Sequence, residues 1–286
     1  MTKRPDRLRL LADVGGTNAR FALSAGPGDI RSVRKLPVSG YPSFEAAMAA
    51  YIDLVLPEAP VGEAAVAAAG PVDGQTIDLT NADWRISAAG IEAAGMGRAR
   101  LFNDLEAVGL SLPVLGSGDT AAVREAVVTR RPERMIALNV GTGLGAAIAV
   151  RQGETWTSLS TEAGHMAYAA ANAAEAEWLG EAETYEALLS GPGLRRLAGR
   201  EPDAAVRRML FSGLLGRFAG DMVLAAGAWD GLCLCGGVLD DWEEHVDPAR
   251  FLTAFDAKGP MRGRMAAVPV LRIVAEYPAL MGLAAA

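Results

Sequence analysis

Two glycine-rich turns follow apolar runs in this chain, one near its beginning and one at its middle. Glycines at the end of a strand let the backbone approach a ligand closely and turn its N–H groups toward an anion. Two such turns therefore predict that both bind the same polyphosphate. The first turn comprises Asp13, Val14, Gly15, Gly16, Thr17 and Asn18, and the second comprises Gly141, Thr142 and Gly143.

Asp13 stands immediately before the first turn, where a carboxylate would lie beside the bound phosphates. A hard cation such as Mg²⁺ prefers oxygen ligands and usually keeps several waters. We therefore expect Asp13 to hold Mg²⁺, through water. Thr17 and Asn18 add hydrogen-bonding side chains to the same turn.

Other interpretations of the turns stay open. Each could be no more than a tight hairpin connection. The stretch GTGLGA also fits a dinucleotide fingerprint, but that fingerprint requires a helix next. The residues that follow include Ile148 and Val150 and soon reach Gly153, which favours a second hairpin strand. The P-loop pattern is absent from the sequence.

A polar pair, Asn103 and Asp104, stands where the apolar strand RARLFND gives way to a helix. Strand ends are where α/β proteins gather their chemistry. A carboxylate there could take a proton from a hydroxyl group as a general base. The alternative is that Asp104 only caps the helix.

Two further stretches carry polar candidates in the second half. In STEAGHMAYA, Glu162 and His165 are three residues apart, and a tight turn could aim both side chains at one polar ligand. In YEALLSGPGL, Glu186 is predicted to sit on a helix that ends at Gly191. Each has a plain alternative, since His165 could be a structural histidine and Glu186 a surface carboxylate.

The surrounding pattern is typical of an α/β protein. Strands are predicted at RLRLLADV, ARFALSA, IRSVRKLPV, EAAVAAAG, RMIALNV, AAIAV, GLCLCGG and VPVLRIVAE, and helices at SFEAAMAAYIDLVL, AEAEWLGEAETYEALL, DAAVRRMLFSGLLGRFAGDMVLAAGA and PALMGLAAA. The strand, glycine turn, strand layout occurs twice and indicates an internal pseudo-repeat. The two cysteines, Cys233 and Cys235, predict a buried, reduced strand and no metal site.

Composition bounds the class of protein. The chain has 286 residues, 51% of them hydrophobic, and a formal net charge of −7. Chains beyond about 250 residues usually divide, so we expect two lobes, and an acidic chain without a basic run is an unlikely nucleic-acid partner.

The N-terminal apolar stretch is too short and charged for a signal peptide. The run MIALNVGTGLGAAIAV falls short of the roughly 18 residues of a membrane span. We therefore expect a cytoplasmic protein with no membrane partner.

Taken together, the motifs resemble those of the bacterial glucokinase family, within the actin-like sugar kinase superfamily. The stretches that carry the resemblance are DVGGTNAR, LTNADW, NDLEAVG, GTGLG, EAGH, LSGPGL, CGGV and FDAKG, in the family's order over nearly the whole chain. The resemblance implies a two-lobed actin-like (ribonuclease H-like) α/β fold with a central cleft. The expected domains are 1–107 with a C-terminal return at 276–286, and 108–275.

The resemblance also implies a function, the phosphorylation of D-glucose at its 6-hydroxyl by ATP with Mg²⁺. Asp104 matches the base, and both turns match the ATP phosphate loops. Gly236 and Gly237 match the loop beside the nucleoside. The matches to sugar-binding positions are Asn103, Asp104, Glu162, His165 and Glu186.

Alternatives to glucose phosphorylation remain. The chain could be a kinase for another hexose or an N-acetylated amino sugar, or a non-catalytic sugar-sensing module of the same fold. A homodimer is one option for its assembly. The family's GEGGH is TEAGH here, which keeps Glu162 and His165, and the cysteine-rich zinc motif of related kinases is missing.

Overall fold

The described part of the chain divides into two units. The computed structural model describes residues 7–70, 72–73, 75–79, 82–126, 131–171, 173, 175–176 and 180–286. One unit comprises the described residues of Met1–Val114 with Glu276–Ala286, and the other those of Leu115–Ala275. The expected domain boundary at 107 stays a prediction, and it falls inside a helix that runs to Ser111.

The first unit is built on a mixed sheet. Its strands are β1 (Leu8–Val14), β2 (Asn18–Ser24), β3 (Arg31–Pro37), β4 (Val61–Ala68), β5 (Val72–Asp73), β6 (Thr76–Asp78), β7 (Arg85–Ser87) and β8 (Ala99–Asn103), and its helices include α1 (Phe44–Val55), α2 (Ala88–Ala93) and α3 (Asp104–Ser111). The main sheet has the order β3-β2-β1-β4-β8, and β5-β6-β7 form a small second sheet. Within the main sheet β1 pairs antiparallel with β2 and parallel with β4, and β4 is parallel to β8.

Local sequence explains these elements. The strands β1 and β4 are mostly buried, so they read as nearly continuous apolar runs. Ser43 begins α1, because its hydroxyl accepts the N–H of Ala46. Phe44 and Tyr51 both pack against Phe21 in the core on this side of the sheet. The predictions for these segments are confirmed.

The second unit repeats the sheet order. Its strands are β9 (Thr120–Arg124), β10 (Arg134–Val140), β11 (Leu144–Gln152), β12 (Thr155–Thr161), β13 (Leu232–Cys235) and β14 (Val270–Ile273), and its helices include α4 (Gly191–Arg200), α5 (Ala204–Ala226), α6 (Trp242–His245), α7 (Pro248–Asp256) and α8 (Arg262–Met265). The order is β12-β11-β10-β13-β14-β9. A last helix, α9 (Pro278–Ala285), belongs to the first unit, where it packs on α3.

The long helix α5 is the centre of the second core. Its N-cap is Asp203, whose carboxylate accepts two backbone N–H groups, and its C-cap is Gly227 in the left-handed conformation. By length and composition alone α5 could cross a membrane, but 61% of its apolar window is buried. Its packing against α7 and the sheet is that of a core helix.

One predicted helix, residues 174–189, is wrong over its second half, although residues 175 and 176 are helical. Residues 180–190 form turns and one isolated strand bridge, Ala167 with Thr184, rather than the end of a helix. The helix begins only at Gly191, with Ser190 as its N-cap, so SGPG starts a helix instead of stopping one. Pro192 suits that position because the first helical N–H groups have no intrahelical partner. Residues 174 and 177–179 of the predicted helix lie outside the described residues.

Candidate active site

The first glycine turn connects β1 to β2. Its backbone is closed by a hydrogen bond from the N–H of Gly15 to the carbonyl of Asn18, 2.9 Å. Val14 is buried at the strand end, Gly16 lies within the turn, and Thr17 is exposed. A Cβ on Gly15 would meet nothing closer than 3.6 Å. Because the fold itself leaves room for a side chain there, the bare backbone suits close approach by a ligand.

Asp13 forms an ion pair across this hairpin. Its cross-strand partner is Arg20, whose Nη1 lies 3.3 Å from Asp13 Oδ2. Burial raises the pKa of the Asp13 carboxyl, and Arg20 partly offsets that effect. The ion pair therefore fixes the carboxylate beside the turn.

The residues at this turn fit a magnesium ion that is held mainly by other ligands. Asp13 offers the oxygen donors that Mg²⁺ prefers. In the described ranges, no group of three or more His, Cys, Asp and Glu side chains is placed to hold a metal ion. Mg²⁺ usually keeps several bound waters and takes further oxygens from substrate phosphates. One protein carboxylate is therefore enough for such a site.

The next candidates lie at the junction of β8 and α3. Asn103 is the helix N-cap, since its Oδ1 accepts the N–H groups of Leu105 and Glu106 at 3.0 and 3.3 Å. The Glu106 carboxylate accepts the N–H of Asn103 in return, 3.4 Å, which completes a capping box. The N-D-L-E pattern was the sequence signal for it. Asn103, not Asp104, is therefore the cap.

The two predicted residues, Asn103 and Asp104, make different hydrogen bonds at this helix start. Asn103 Nδ2 also donates to the carbonyl of Gly70, 3.2 Å, so only its second amide hydrogen remains for a sugar. Asp104 occupies the first helical position, where its Oδ1 accepts the N–H of Leu105, 2.8 Å. The N-terminal end of a helix is electrostatically favourable for a negatively charged side chain.

The second glycine turn connects β10 to β11, as a strand hairpin. The N–H of Gly141 donates to the carbonyl of Gly143, 2.9 Å, and Thr142 is exposed at the tip. A Cβ on Gly141 would meet only ordinary contacts, the nearest at 3.7 Å. Since a strand rather than a helix follows, the dinucleotide fingerprint is wrong here.

Glu186 lies against this second turn and is not a surface glutamate on a helix. Its Oε2 accepts the N–H of Leu144 at 2.9 Å and lies 2.8 Å from the place a Cβ on Gly143 would occupy. Its own N–H donates to the carbonyl of Gly164, 2.8 Å. The tertiary fold thus joins the second turn to the segment of Glu162 and His165.

Glu162 and His165 come together as expected. Glu162 is the N-cap of a short 3₁₀ helix, Ala163–His165, that ends at His165, and His165 Nε2 lies 3.9 Å from Glu162 Oε2. Both side chains are largely exposed, at 91% and 61% respectively. Two such groups can exchange hydrogen bonds with neighbouring hydroxyls, because a carboxylate accepts and an imidazole can donate or accept.

Gly236 and Gly237 lie next to the second turn. The parallel strands β10 and β13 end side by side, which brings Gly236 against the carbonyl of Val140. Gly236 has a φ of +105°, a conformation that disfavours any side chain. A cavity of about 600 Å³ opens here within the second unit, a size typical of ligand pockets.

This cavity includes residues that the sequence did not single out. Arg195, Arg208 and His245 line it together with Thr142 and Gly237. They come from α4, α5 and α6, and no local spacing connects them. No sequence signal could have grouped them. Asn81 of the NADW stretch lies outside the described residues.

Comparison with known proteins gives the chain its relatives. A family model described as Glucokinase matches residues 10–201 and 195–286. A glucokinase of Cupriavidus pinatubonensis is 35% identical over 97% of this chain and 91% of its own length. The "Bifunctional protein glk" of Paraburkholderia xenovorans is 36% identical over 98% of this chain and 49% of its own length. The chain thus spans about half the length of the bifunctional relatives it matches.

Solved structures agree with the sequence relatives. The crystal structure of a glucokinase from an Antarctic psychrotroph is 28% identical, covers 97% of each chain and has a TM-score of 0.85. The α/β fold implied by the resemblance, that of the actin-like sugar kinases, is therefore confirmed. A family match over almost the whole chain and relatives above 30% identity lead to one conclusion. The chain belongs to the glucokinase family.

Proposed function

We propose that this protein transfers the γ-phosphoryl group of ATP to the 6-hydroxyl of D-glucose, giving glucose 6-phosphate and ADP. The observation that carries the proposal is the hydrogen-bonded contact of Glu186 with both the second glycine turn and Gly164. Groups suited to sugar hydroxyls thereby adjoin backbone suited to phosphate. A hexokinase needs both in one site.

The sugar is recognised by complementary hydrogen bonds. Glucose is almost entirely hydroxyl groups, so a ring of carboxylates, an amide and an imidazole can discriminate it. A wrong sugar leaves some of those groups unpaired, which is costly. Asn103, Glu162, His165 and Glu186 are the proposed set. Asn103 contributes as a donor, because its oxygen already caps α3.

Asp104 is the proposed general base. Its carboxylate accepts the proton of the 6-hydroxyl as the oxygen attacks phosphorus. Phosphoryl transfer depends mostly on positioning and charge compensation. A general base adds about 10²- to 10⁴-fold. The start of α3 suits this role because the helix orients the side chain.

The nucleotide is assigned to the two glycine turns. Their backbone N–H groups bind the phosphates, and the cavity beside Gly237 takes the nucleoside. Mg²⁺, when bound, neutralises phosphate charge, and Asp13 would hold it through water. Arg20 keeps the Asp13 carboxylate in place for that task.

The remaining expectations enter as parts of the same proposal. Residues 1–107 with 276–286 form one proposed domain, and residues 108–275 form the other. The enzyme is proposed to be cytoplasmic and to form a homodimer. Size-exclusion chromatography with light scattering measures the mass that tests the dimer.

A coupled assay tests the proposal. Purified protein is supplied with ATP, Mg²⁺ and one sugar at a time, namely glucose, mannose, fructose, N-acetylglucosamine and N-acetylmannosamine, and ADP release is followed. We expect the highest kcat/KM with glucose. A higher value for an acetylated amino sugar would move the assignment to that substrate. Sugar binding by calorimetry without ADP release would support the non-catalytic sensor instead.

A further inference from the structure

We propose that Glu186 is also a positioning residue for the second glycine turn, and that it links sugar binding to nucleotide binding. The inference rests on the proposed function, since it takes that turn as a phosphate site and Glu186 as a sugar ligand. It adds a second task for one side chain. That task is to hold the backbone that binds the nucleotide.

The carboxylate of Glu186 fixes one end of the turn. Its Oε2 accepts the N–H of Leu144, 2.9 Å, the first residue of β11. The place of a Cβ on Gly143 is 2.8 Å from the same oxygen, so the glycine allows the carboxylate to approach. A charged acceptor on a backbone N–H is one of the stronger hydrogen bonds in proteins.

The segment that follows Glu186 fixes the other end of the turn. The hydroxyl of Ser190 donates to the carbonyl of Glu186, 2.7 Å, and accepts the N–H of Gly193 as it caps α4. The N–H of Gly191 then donates to the carbonyl of Gly141, 2.8 Å. Residues 186–191 thus contact both the first and the last part of the turn.

The sugar-binding segment is tied to the same place. The N–H of Glu186 donates to the carbonyl of Gly164, 2.8 Å, between Glu162 and His165. A Cβ on Gly164 would overlap the carbonyl oxygen of Leu144, so that turn packs directly on β11. Any shift of Glu186 on sugar binding is therefore transmitted to Leu144 through a single hydrogen bond.

The two carboxylate oxygens of Glu186 have different surroundings. Oε2 is bound to Leu144, whereas Oε1 has no hydrogen bond within the described residues. A sugar hydroxyl that donates to Oε1 would restrict the side chain in the conformation that holds Leu144. The conformational entropy of this segment is then lost when the first ligand binds and not again when the second binds, so the two ligands bind cooperatively. By linkage, nucleotide must then strengthen sugar binding by the same factor.

The test measures the dissociation constant of AMPPNP with Mg²⁺ in the absence of sugar, by calorimetry. Glu186→Ala removes the acceptor, and Glu186→Asp keeps the charge but is one methylene too short to reach Leu144. Both should weaken AMPPNP binding about tenfold, the loss expected for a charged hydrogen bond. Glu186→Gln keeps an acceptor oxygen at full length and should stay within about threefold of the wild type.

Glu183→Ala is the matched control, because this exposed carboxylate lies in the same segment and its side chain makes no hydrogen bond with the described residues. It should bind AMPPNP as the wild type does. Thermal unfolding checks that each variant is folded. If Glu186→Ala does not fold, Glu186→Asp carries the test, since it retains both charge and polarity.

A second measurement tests the coupling. Glucose should tighten AMPPNP binding to the wild type and fail to do so in Glu186→Ala. Wild-type affinity for AMPPNP in both Glu186→Ala and Glu186→Asp would overturn the inference alone. Failure of the wild type to bind AMPPNP would instead overturn the proposed function. The two failures are therefore distinguishable.

Discussion

The two glycine turns lie at corresponding places in two sheets of similar order, but different side chains support them. In each sheet three antiparallel strands are followed by two parallel ones, β3-β2-β1-β4-β8 and β12-β11-β10-β13-β14. The turn joins the second and third strands of each list. The predicted pseudo-repeat is therefore confirmed. The shared topology places the turns, and the local residues decide what each can bind.

The two turns differ most clearly at the next-to-last residue of the strand that precedes each of them. In β1 it is Asp13, which faces Arg20 across the hairpin, and in β10 it is Asn139, which faces Gly145. The first turn thus has a fixed negative charge beside it, and the second has a neutral amide. Only the first is suited to a cation.

The strand ends beyond the turns differ as well. In the first sheet β8 is followed by Asp104 at the start of α3. Its counterpart β14 is followed by Val274 and Ala275, which carry no acid. The first unit therefore supplies the proposed base and cation ligand. The second supplies Glu162, His165 and Glu186, together with the cavity beside Gly237.

The largest expected effect breaks the first side of this comparison. Asp104→Ala should lower kcat by about 10²- to 10⁴-fold, since the proton acceptor is lost. The dissociation constant of glucose should change only a few-fold, because a base acts chiefly as the transition state forms. Steady-state kinetics and calorimetry give the two values. Retention of more than about a tenth of the rate would contradict the role.

A reciprocal pair of substitutions sharpens the contrast between the turns. Asp13→Asn should lower kcat/KM for ATP about 10- to 100-fold, the usual loss when an outer partner of a metal ion is removed. Raising the Mg²⁺ concentration should restore part of it. Because burial raises the pKa of Asp13, removing this charge should not lower the melting temperature near pH 7.

The other member of the pair is Asn139→Asp. A carboxylate there would have no cross-strand arginine, and it would lie beside backbone meant for phosphate. The KM for ATP should rise about tenfold through like-charge repulsion, and less at high salt. An unchanged KM for ATP would mean that the second turn does not approach the phosphates.

A smaller effect is expected from the exposed sugar-binding turn. Glu162→Gln should raise the KM for glucose about fivefold to tenfold, since a neutral amide replaces a charged acceptor. The KM for ATP should stay within about twofold, because Glu162 pairs with His165, whereas the carboxylate bonded to the second glycine turn is that of Glu186. Equal losses for both substrates would indicate a structural role. Glu186→Gln makes the same carboxylate-to-amide change, so the effects of the two substitutions can be compared directly.

The smallest effect concerns the strand beside each turn. Cys233 and Cys235 in β13 correspond by register to Ala65 and Ala67 in β4. Burial raises the pKa of Cys233 to about 12. Iodoacetamide at pH 8 should therefore leave Cys233 unmodified in the native protein, since the thiolate is the reactive form. Cys233→Ala should cost about 1 kcal/mol of stability and leave the kinetics unchanged. Fast native alkylation of Cys233 would contradict this.

The sequence by itself determined most of the elements and the general chemistry. Apolar runs ending in glycines predicted β1, β2, β10 and β11, because alternation and turn residues are local properties. Ile148, Val150 and the break at Gly153 favoured a strand over a helix after the second turn, and the structure confirms that strand. The motif order indicated the family over nearly the whole chain.

Only the tertiary structure decided how the candidate residues are held. The position of Glu186 was predicted wrongly as helical, because its conformation follows from contacts with Leu144 and Gly164, both distant in sequence. The capping box of Asn103 was visible as a pattern, whereas its bond to Gly70 was not. Local sequence encodes turns, caps and periodicity. The partner of a side chain depends on which strands become neighbours, and that is fixed only when the sheet forms.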